Sequence, residues 1–282
     1  MVTTPSASIP AAPFLALIGF GEAGETFAAA AGWDESHAAV HDVRLARLDH
    51  ARDLGLATGD AALALAGAQL VLCLVTADQV LEAARACAPH LGPGAIWCDG
   101  NSVAPGTKRE AAAVIEAAGG IYVDMAILAP VNPARLKVPL LLAGVAASRA
   151  QGLLAAAGFT NIRVVGDEVG RASAIKMIRS VMVKGVEALT AEMMLGAQQA
   201  GVVDEVLASL DASDKPAPWG EKAAYNIERM VTHGARRAAE MEESVRTLEG
   251  LGIEPLMTRG TVARQRDMAG RRDRLIQDQP KT

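Results

Sequence analysis

The sequence predicts an α/β domain over residues 13–167, built on a doubly wound and mainly parallel sheet, and then an all-α domain over residues 168–282. The first domain is predicted because short apolar runs alternate with helix-forming segments, and because a glycine-rich turn follows the first of these runs. The second is predicted because no strand pattern appears beyond position 168 and its first long segment contains no proline. The chain has 282 residues, 51% of them hydrophobic, which is enough for two cores.

Charge and composition narrow the range of partners. The 27 lysines and arginines are outweighed by 32 aspartates and glutamates, so no basic field exists to hold a nucleic-acid backbone or an anionic membrane surface. With three Trp, two Tyr and four Phe, the chain has few aromatic side chains on which bases could stack. It has no apolar run of about 18 residues that would predict a membrane span. We therefore expect small-molecule partners, with no nucleic acid and no membrane.

Cysteine and histidine usage predicts a cytoplasmic protein without a metal site. Cys73, Cys87 and Cys98 are odd in number and form no C-x-x-C pair, so neither a disulfide framework nor a zinc ribbon is indicated. The five histidines are scattered and form no H-E-x-x-H motif. Residues 1–12 lack the basic start and apolar core of a secretory signal, and we expect them to form a flexible arm.

The first predicted unit is a strand, a turn and a helix. Residues 14–18 form an apolar run, which is followed by Gly19-Phe-Gly-Glu-Ala-Gly24 and by a helix-forming stretch to Ala31. In such a unit the first glycine permits a tight turn, the second lets the backbone approach a pyrophosphate, and the third permits close helix–strand contact. The free N–H groups of the helix start receive the anion. This predicts a Rossmann-type dinucleotide site, with a merely structural turn as the alternative. Its predicted cofactor-binding residues are Gly19, Phe20, Gly21, Glu22, Ala23 and Gly24.

The second predicted strand, residues 39–42, ends in Asp42. An acidic residue about 20 positions beyond the glycine turn can accept hydrogen bonds from both ribose hydroxyls and repels a 2′-phosphate. Asp42 therefore predicts that NAD(H) is the preferred cofactor. Arg44 could neutralise a phosphate, so NADP(H) stays an alternative, as does the interpretation of Asp42 as an ordinary surface acid.

Further apolar runs extend the parallel sheet. The predicted strands are residues 69–75, 95–98, 121–124 and 162–165, and the predicted helices among them are residues 78–90 and 108–118.

The loops that follow two of these strands are candidates for ligand contact. Because ligands sit beyond the carboxyl ends of parallel strands, the segments 76–78 and 99–102 are expected to meet the nicotinamide and the substrate. Val75, Thr76 and Asn101 are accordingly predicted to bind the cofactor, and Asn101 and Ser102 to bind the substrate. Simple turn formation is the alternative for the loop Asn and Ser.

Helices are predicted for all of the second domain. Residues 169–199 can form one long interdomain helix, because no proline interrupts them. A loop over residues 211–218 precedes two further helices, over residues 219–251 and from Gly260 onward. The methionines of this domain indicate adaptable packing surfaces for its core and for contacts between subunits. His233 is predicted to border the substrate, with simple packing as its alternative.

Three motifs follow one another along the chain: Ile-Gly-Phe-Gly-Glu-Ala-Gly24, Asp99-Gly-Asn-Ser-Val-Ala-Pro105 and Gly170-Arg-Ala-Ser-Ala-Ile-Lys176. In this order they resemble the β-hydroxyacid dehydrogenases, which include 3-hydroxyisobutyrate and 6-phosphogluconate dehydrogenases. The resemblance covers roughly residues 14–200. It implies an NAD(P)-binding Rossmann domain, an all-helical second domain, a homodimer formed through that domain, and oxidation of a small hydroxyacid with Lys176 as general acid/base.

A lysine suits this chemistry. Hydride transfer leaves a carbonyl only if the hydroxyl proton departs as well, so the site needs a base within hydrogen-bond reach. Burial and neighbouring cations such as Arg179 disfavour an ammonium, so Lys176 can act as a base in oxidation and as an acid in reduction. Lys176, Arg179 and Ser180 share one helix face, which predicts Arg179 and Ser180 as binding residues for an anionic substrate. A solvated helix face is the alternative.

Departures from the family pattern refine the expected activity. The family's substrate-binding Ser-Gly-Gly is replaced by Leu128-Ala129-Pro130, which puts carboxylate binding by that segment in question. Val183 stands where decarboxylating members have Glu, so a non-decarboxylating enzyme is expected. The alternatives are an imine or neutral-ketone reductase of the same superfamily, in which the lysine is generally replaced, and a non-catalytic dinucleotide-sensing protein.

Overall fold

The computed structural model describes residues 14–213 and 217–269, and the predicted flexible arm lies outside these described residues. The chain divides into two compact units between Arg179 and Ser180, here termed the N-terminal unit and the C-terminal unit. The division falls inside a long helix, whereas the domain boundary predicted after residue 167 falls just before that helix.

One eight-stranded sheet forms the centre of the N-terminal unit. Its strands are β1 (Leu15–Ile18), β2 (Ala38–His41), β3 (Ala57–Thr58), β4 (Leu70–Cys73), β5 (Ile96–Asp99), β6 (Ile121–Ile127), β7 (Leu140–Ala143) and β8 (Ile162–Gly166). They lie in the order β3-β2-β1-β4-β5-β6-β7-β8. All neighbouring strands are parallel except β6 and β7, which pair antiparallel. The predicted doubly wound, mainly parallel sheet is confirmed.

Two of these strands are not predicted by the sequence pattern. β3 has only two residues, which is too short for a recognisable apolar run. β7 follows β6 without an intervening α-helix, so it does not fit the strand–helix alternation on which the other strands were predicted.

Helices cover both faces of the sheet. They are α1 (Glu22–Ala31), α2 (Leu45–Asp53), α3 (Ala61–Leu65), α4 (Val80–Cys87), α5 (Pro105–Ala117), α6 (Ala147–Ala156) and the start of α7 (Arg171–Ala200). All residues of β1, β4 and β5 are buried, as expected for strands covered on both sides. One face packs around Phe27 and Phe159, whose rings meet edge to face, and the other around Trp97 and Tyr122.

The strand order fixes where a ligand can bind. It reverses at β1, with β2 and β3 on one side and β4 followed by the later strands on the other. In such sheets the crevice beyond the carboxyl ends of the strands at the reversal point receives ligands. The segments that leave β1, β4 and β5 therefore surround the expected site.

Within its described residues the C-terminal unit consists of helices joined by short non-helical connections, as predicted for an all-α domain. It contains the rest of α7, then α8 (Val203–Ser213), α9 (Trp219–Gly250) and α10 (Leu256–Met268). A Cβ at Gly234 would lie 2.3 Å from the carbonyl oxygen of Gln265, so α9 and α10 approach closely only because residue 234 is glycine. The buried Glu192 carboxylate accepts hydrogen bonds from the N–H groups of Met257 and Thr258 and so caps the start of α10.

Several apolar side chains of the C-terminal unit are exposed. Val181 is 74% exposed and Leu195 is 53% exposed, and Met182, Val186, Leu207 and Leu210 also have large exposed fractions. Among the described helices, none combines the length and the hydropathy needed to cross a bilayer.

Candidate dinucleotide and active site

The glycine turn after β1 has the geometry that its sequence predicts. Gly19 has a φ of +87°, and a Cβ there would lie 2.7 Å from the carbonyl oxygen of Leu74. A Cβ at Gly24 would lie 3.1 Å from the carbonyl oxygen of Gly19, so this glycine lets α1 approach the turn. At Gly21, by contrast, a Cβ would meet nothing within 4 Å. The backbone at Gly21, which caps the N-terminus of α1, is thus open to an approaching pyrophosphate.

Asp42 is buried and is tied to the glycine turn. Its Oδ2 accepts from the Phe20 N–H at 2.8 Å, and its Oδ1 accepts from the Arg44 N–H at 2.8 Å. A carboxylate has about four acceptor positions, so two remain for ribose hydroxyls. The Arg44 Nε lies 3.5 Å from Asp42 Oδ1, and the Arg44 side chain is largely exposed.

A buried ionic cluster lies directly behind the loop that follows β5. The ammonium of Lys108 donates to the carbonyl oxygen of Asp99 at 2.6 Å and lies 2.9 Å from Asp99 Oδ1. It also lies 3.6 Å from Asp124 Oδ1, and all three side chains are fully buried. Tyr122 donates its hydroxyl to Asp99 Oδ2 at 2.5 Å. Burial, together with the charge of Asp99, raises the pKa of Tyr122 far above its usual range, so it remains a donor.

Sequence reasoning missed Lys108, although a signal for it exists. The buried residues of α5 are Lys108, Ala111, Ala112 and Ile115, a helical spacing that places the lysine on the apolar stripe. A lysine on such a stripe indicates a buried cation, because a solvated lysine would lie on the polar face.

Asp99 holds the loop that carries Asn101. Its Oδ1 accepts from the Asn101 N–H at 2.9 Å and from the Asn101 Nδ2 at 2.6 Å. The Asn101 Oδ1 is buried and has no hydrogen-bond partner among the described residues. A buried amide oxygen without a partner is unfavourable, so this atom fits a bound group that donates a hydrogen bond.

Asp124 caps the start of α7. Its Oδ2 accepts from the N–H groups of Gly170 (3.1 Å) and Ser173 (2.9 Å) and from the Ser173 hydroxyl (3.0 Å). One turn later, the Lys176 ammonium donates to Ser102 Oγ at 2.5 Å. The structure thereby joins the second and third motifs of the sequence at one point.

A cleft of about 340 Å³ lies at this point, within the N-terminal unit. It is here termed the candidate cleft. Its polar lining comes from Glu22, Asn101, Ser102 and Lys176, and the rest is mostly apolar. The full lining is Glu22, Ala23, Leu74, Val75, Ala77, Gly100, Asn101, Ser102, Ile127, Ala129, Pro130, Val131 and Lys176.

The predicted site residues are therefore only partly brought together. Glu22, Ala23, Val75, Asn101, Ser102 and Lys176 line the candidate cleft, whereas Thr76 is absent from its lining. Arg179 donates from Nη1 to the Leu128 carbonyl oxygen at 3.2 Å. Ser180 and His233 belong to the C-terminal unit, and their roles toward a substrate stay predictions.

The cysteines of the N-terminal unit are buried and not poised to react. Burial, aided by the charge of Asp99, raises the pKa of the Cys73 thiol well above its usual range, and burial does the same for Cys98. A thiol that stays protonated is a poor nucleophile. Within residues 14–213 and 217–269, no group of three or more His, Cys, Asp or Glu side chains is arranged to hold a metal ion.

Two family models match the chain. The model described as the NAD binding domain of 6-phosphogluconate dehydrogenase matches residues 14–166, which is more than half of the chain. A domain of unknown function, DUF1932, matches residues 197–268. The first match lies in the N-terminal unit and the second in the C-terminal unit.

Solved structures of similar proteins cover nearly the whole chain. A conserved hypothetical protein from Sinorhizobium meliloti 1021 is 36% identical, with 94% of this chain and 91% of that chain covered and a TM-score of 0.62. The conserved protein MTH1747, of unknown function and described as similar to 3-hydroxyacid dehydrogenases, is 28% identical; 90% of this chain and 96% of that chain are covered, with a TM-score of 0.59. An imine reductase from Myxococcus stipitatus, solved with NADP⁺ and as a V8 variant with NAD⁺, is 18% identical and shares the fold. There, 90% of this chain and 93% of that chain are covered, with a TM-score of 0.74.

Proposed function

This chain belongs to the family defined by the NAD binding domain of 6-phosphogluconate dehydrogenase, whose members are NAD(P)-dependent oxidoreductases, and from this premise we propose its reaction. The enzyme interconverts a small hydroxyacid and its carbonyl form, without decarboxylation, and Lys176 is its general acid/base. The observation that carries the proposal is the 2.5 Å hydrogen bond between Lys176 and Ser102 in the wall of the candidate cleft.

Lys176 and Ser102 have different roles toward the reacting oxygen of the substrate. Bound NAD(P) supplies the hydride acceptor in oxidation and the hydride donor in reduction. Lys176, partly buried in the cleft wall, takes the hydroxyl proton in oxidation and returns it to the carbonyl oxygen in reduction. Ser102 orients the reacting oxygen, because its hydroxyl can donate and accept at the same time. Asn101 offers its buried amide oxygen to a donor on the bound molecules.

The substrate is small and carries an anionic group. Arg179 is the cation placed on α7 one turn after Lys176, and its guanidinium already reaches the carbonyl oxygen of Leu128 beside the cleft. A guanidinium in that place can bind a carboxylate bidentately. It thereby substitutes for the family's Ser-Gly-Gly, which Leu128-Ala129-Pro130 replaces. Ser180 and His233 are proposed as further substrate residues.

NAD(H) is the proposed cofactor in preference to NADP(H). The support is Asp42, whose carboxylate is held by two backbone N–H groups at the end of β2 and keeps two acceptor positions for ribose hydroxyls. A 2′-phosphate would meet this carboxylate, and the exposed Arg44 beside it could offset part of the repulsion.

The enzyme is proposed to act as a homodimer formed through the C-terminal unit. The support is the set of apolar side chains that α7 and α8 leave exposed, such as Val181 and Leu195. Exposed apolar surface of this kind is typical of subunit interfaces.

A reductase of imines or neutral ketones is the second candidate. The observation in its favour is Pro130, which lines the cleft and has no N–H to offer a carboxylate, together with the apolar neighbours Ile127 and Val131. Lys176 favours the first candidate, because a lysine can return the alcohol proton.

The first test replaces Lys176 by Met. We expect kcat with the best hydroxyacid of a substrate panel to fall about 10²–10⁴-fold, because the proton transfer loses its base. The affinity for NADH should change little, since Lys176 is not among the predicted cofactor-binding residues and the variant keeps the glycine turn and Asp42 for the dinucleotide. The matched control is Lys137→Met, an exposed lysine outside the cleft lining, which should keep full activity.

Three outcomes would go against the proposal. Near-full turnover of the Lys176→Met enzyme refutes the acid/base role. Turnover confined to cyclic imines or neutral ketones selects the second candidate. Tight NADH binding without turnover of any panel substrate supports the non-catalytic dinucleotide sensor.

Cofactor choice is tested by titrating NADH and NADPH against the full chain and following the fluorescence of the reduced nicotinamide. We expect NADH to bind more tightly, and Asp42→Asn to narrow the difference by removing the negative charge. Tighter binding of NADPH by the unmodified chain would contradict the assignment of Asp42.

A further inference from the structure

We propose that Lys108 is a positioning residue that keeps Ser102 and Lys176 in hydrogen-bond distance. It does so by pairing with two buried carboxylates, one fixed to the loop that carries Ser102 and the other to the helix that carries Lys176. The inference deepens the proposed function and rests on it, because it explains how the acid/base pair is held.

The first half of the connection runs from Lys108 to the loop after β5. The Lys108 ammonium contacts Asp99 twice, at its carbonyl oxygen (2.6 Å) and at Oδ1 (2.9 Å). The same Oδ1 accepts from the N–H and from the Nδ2 of Asn101. Asn101 directly precedes Ser102 in the chain, so the backbone position of Ser102 is set by the Asp99 carboxylate.

The second half runs from Lys108 to α7. The ammonium lies 3.6 Å from Asp124 Oδ1, which has no hydrogen-bond partner among the described residues and so depends on this cation. The other oxygen, Oδ2, accepts the two N–H groups and the hydroxyl at the start of α7, from Gly170 and Ser173. Lys176 follows one turn later on the same helix.

Lys108 is the positive charge that joins the two parts of the connection. Asp99 and Asp124 are fully buried, and Lys108 is the cation that both contact among the described residues. Without it, two carboxylates would face each other in a region of low dielectric constant, where like charges repel strongly. Asp99 and Asp124 are paired in register on β5 and β6, so their backbones stay in place and their side chains would turn away from each other. Because each carboxylate is bound to a different site segment, this would displace the loop and the start of α7. A merely structural role would lower stability without acting on these two segments together.

The test uses Lys108→Met with Phe159→Leu as the matched control. Phe159 is a buried residue in the core cluster on the other face of the sheet, so its variant loses stability without touching the ionic cluster. Two quantities are measured on the full chain: amide hydrogen exchange in residues 99–102 and 170–176, and the rate at which acetic anhydride acetylates Lys176 relative to the exposed Lys137 as pH is varied. Mass spectrometry reports both.

In Lys108→Met we expect exchange in both segments to rise together by tenfold or more, and the relative acetylation of Lys176 to rise severalfold, because its amine is released from Ser102. The pH profile of acetylation should shift as well. Phe159→Leu should show neither change, even if it lowers Tm as much as Lys108→Met does. An increase in one segment alone, or an unchanged Lys176 rate, would overturn the proposal.

Ser173→Ala keeps the proposal falsifiable if the Lys108 variant does not fold. It removes one of three donors to Asp124 and alters no charge. We expect a smaller rise in exchange over residues 170–176 and a measurable rise in Lys176 acetylation, and no change in either would overturn the positioning role.

These readouts need neither substrate nor cofactor. Absence of turnover in the unmodified chain would refute the proposed function while leaving the exchange and acetylation data to decide on Lys108. An active enzyme whose two segments do not respond to Lys108→Met would refute the positioning role alone.

Discussion

The N-terminal unit buries most of its apolar side chains and leaves scattered ones such as Val43 and Val145 exposed, whereas the C-terminal unit leaves several exposed along α7 and α8. Every residue of β1, β4 and β5 is buried, yet Val181 on α7 and Leu210 on α8 are at least half exposed. The sheet and its helices therefore cover most of each other's apolar surface, while the helices of the C-terminal unit leave the apolar surface on which the proposed homodimer rests.

Both units nevertheless cap the start of a helix in the same way. Each uses a buried carboxylate from a distant element to satisfy the free N–H groups at a helix start: Asp124 for α7 and Glu192 for α10. The difference lies in charge balance, because Asp124 shares the Lys108 cation with Asp99. The two units thus differ mainly in how far they bury their apolar side chains. They satisfy the free N–H groups at helix starts in the same way.

The largest effect that would test this contrast is expected at Leu17, in the middle of β1. Leu17→Ala should lower the free energy of unfolding by about 2–5 kcal/mol, because it opens a cavity at a position with 0% exposure. Denaturant unfolding at two protein concentrations measures it. The loss should be the same at both concentrations, and a concentration-dependent loss would mean that the core of this unit is also completed by another molecule.

An effect that is intermediate for each residue is expected from alkaline pH. All three cysteines lie in the N-terminal unit, and burial raises the pKa of Cys87 to about 12 and that of Cys98 further. The folded state therefore keeps these thiols protonated while the unfolded chain ionises them from about pH 8.5 upward. Stability should be unaffected below that pH and then fall by up to about 1.4 kcal/mol per pH unit for each thiol.

Urea unfolding between pH 7.5 and 10 measures this loss. Cys87→Ala should make the fall in the free energy of unfolding with pH less steep by the contribution of one thiol. It should also lower that free energy at every pH, because the core packs less well. Rapid reaction of the native thiols with a disulfide reagent at pH 8 would contradict their burial.

The smallest effect is expected at Leu195, which is 53% exposed on α7. Leu195→Ala should weaken self-association by about 1 kcal/mol, because about half of the side chain is left for a partner to bury. Sedimentation equilibrium gives the dissociation constant. The control is Leu63→Ala on α3, 68% exposed in the N-terminal unit, which should leave association unchanged. Equal effects of the two variants would remove the contrast between the units.

Much of the fold follows from local patterns. The glycine turn, the long α7 and six of the eight strands are predicted by apolar runs and turn residues that lie next to each other in the chain. β7 was not predicted, because its antiparallel pairing with β6 is a property of the whole sheet and leaves no signal in the local sequence.

The residues of the candidate site, too, could be predicted only in part. Lys176 and Ser102 are predicted from their motifs, but their hydrogen bond joins residues far apart in sequence. Lys108, Tyr122 and Asp124 were missed because their roles arise only when β5, β6, α5 and α7 come together. The helical stripe on α5 points to Lys108 as buried, yet nothing in the local sequence names the carboxylates with which it pairs.

The hydrogen bonds of Asn101 have a consequence for recognition. A carboxylate only accepts, so the bond to Asp99 fixes which end of the amide is nitrogen and leaves the oxygen as the remaining group. The side chain cannot rotate to present the opposite polarity without losing that bond. The proposed binding role of Asn101 therefore discriminates by hydrogen-bond polarity: its amide oxygen favours a molecule that brings an N–H or O–H to this position and disfavours an isosteric one that brings a lone pair.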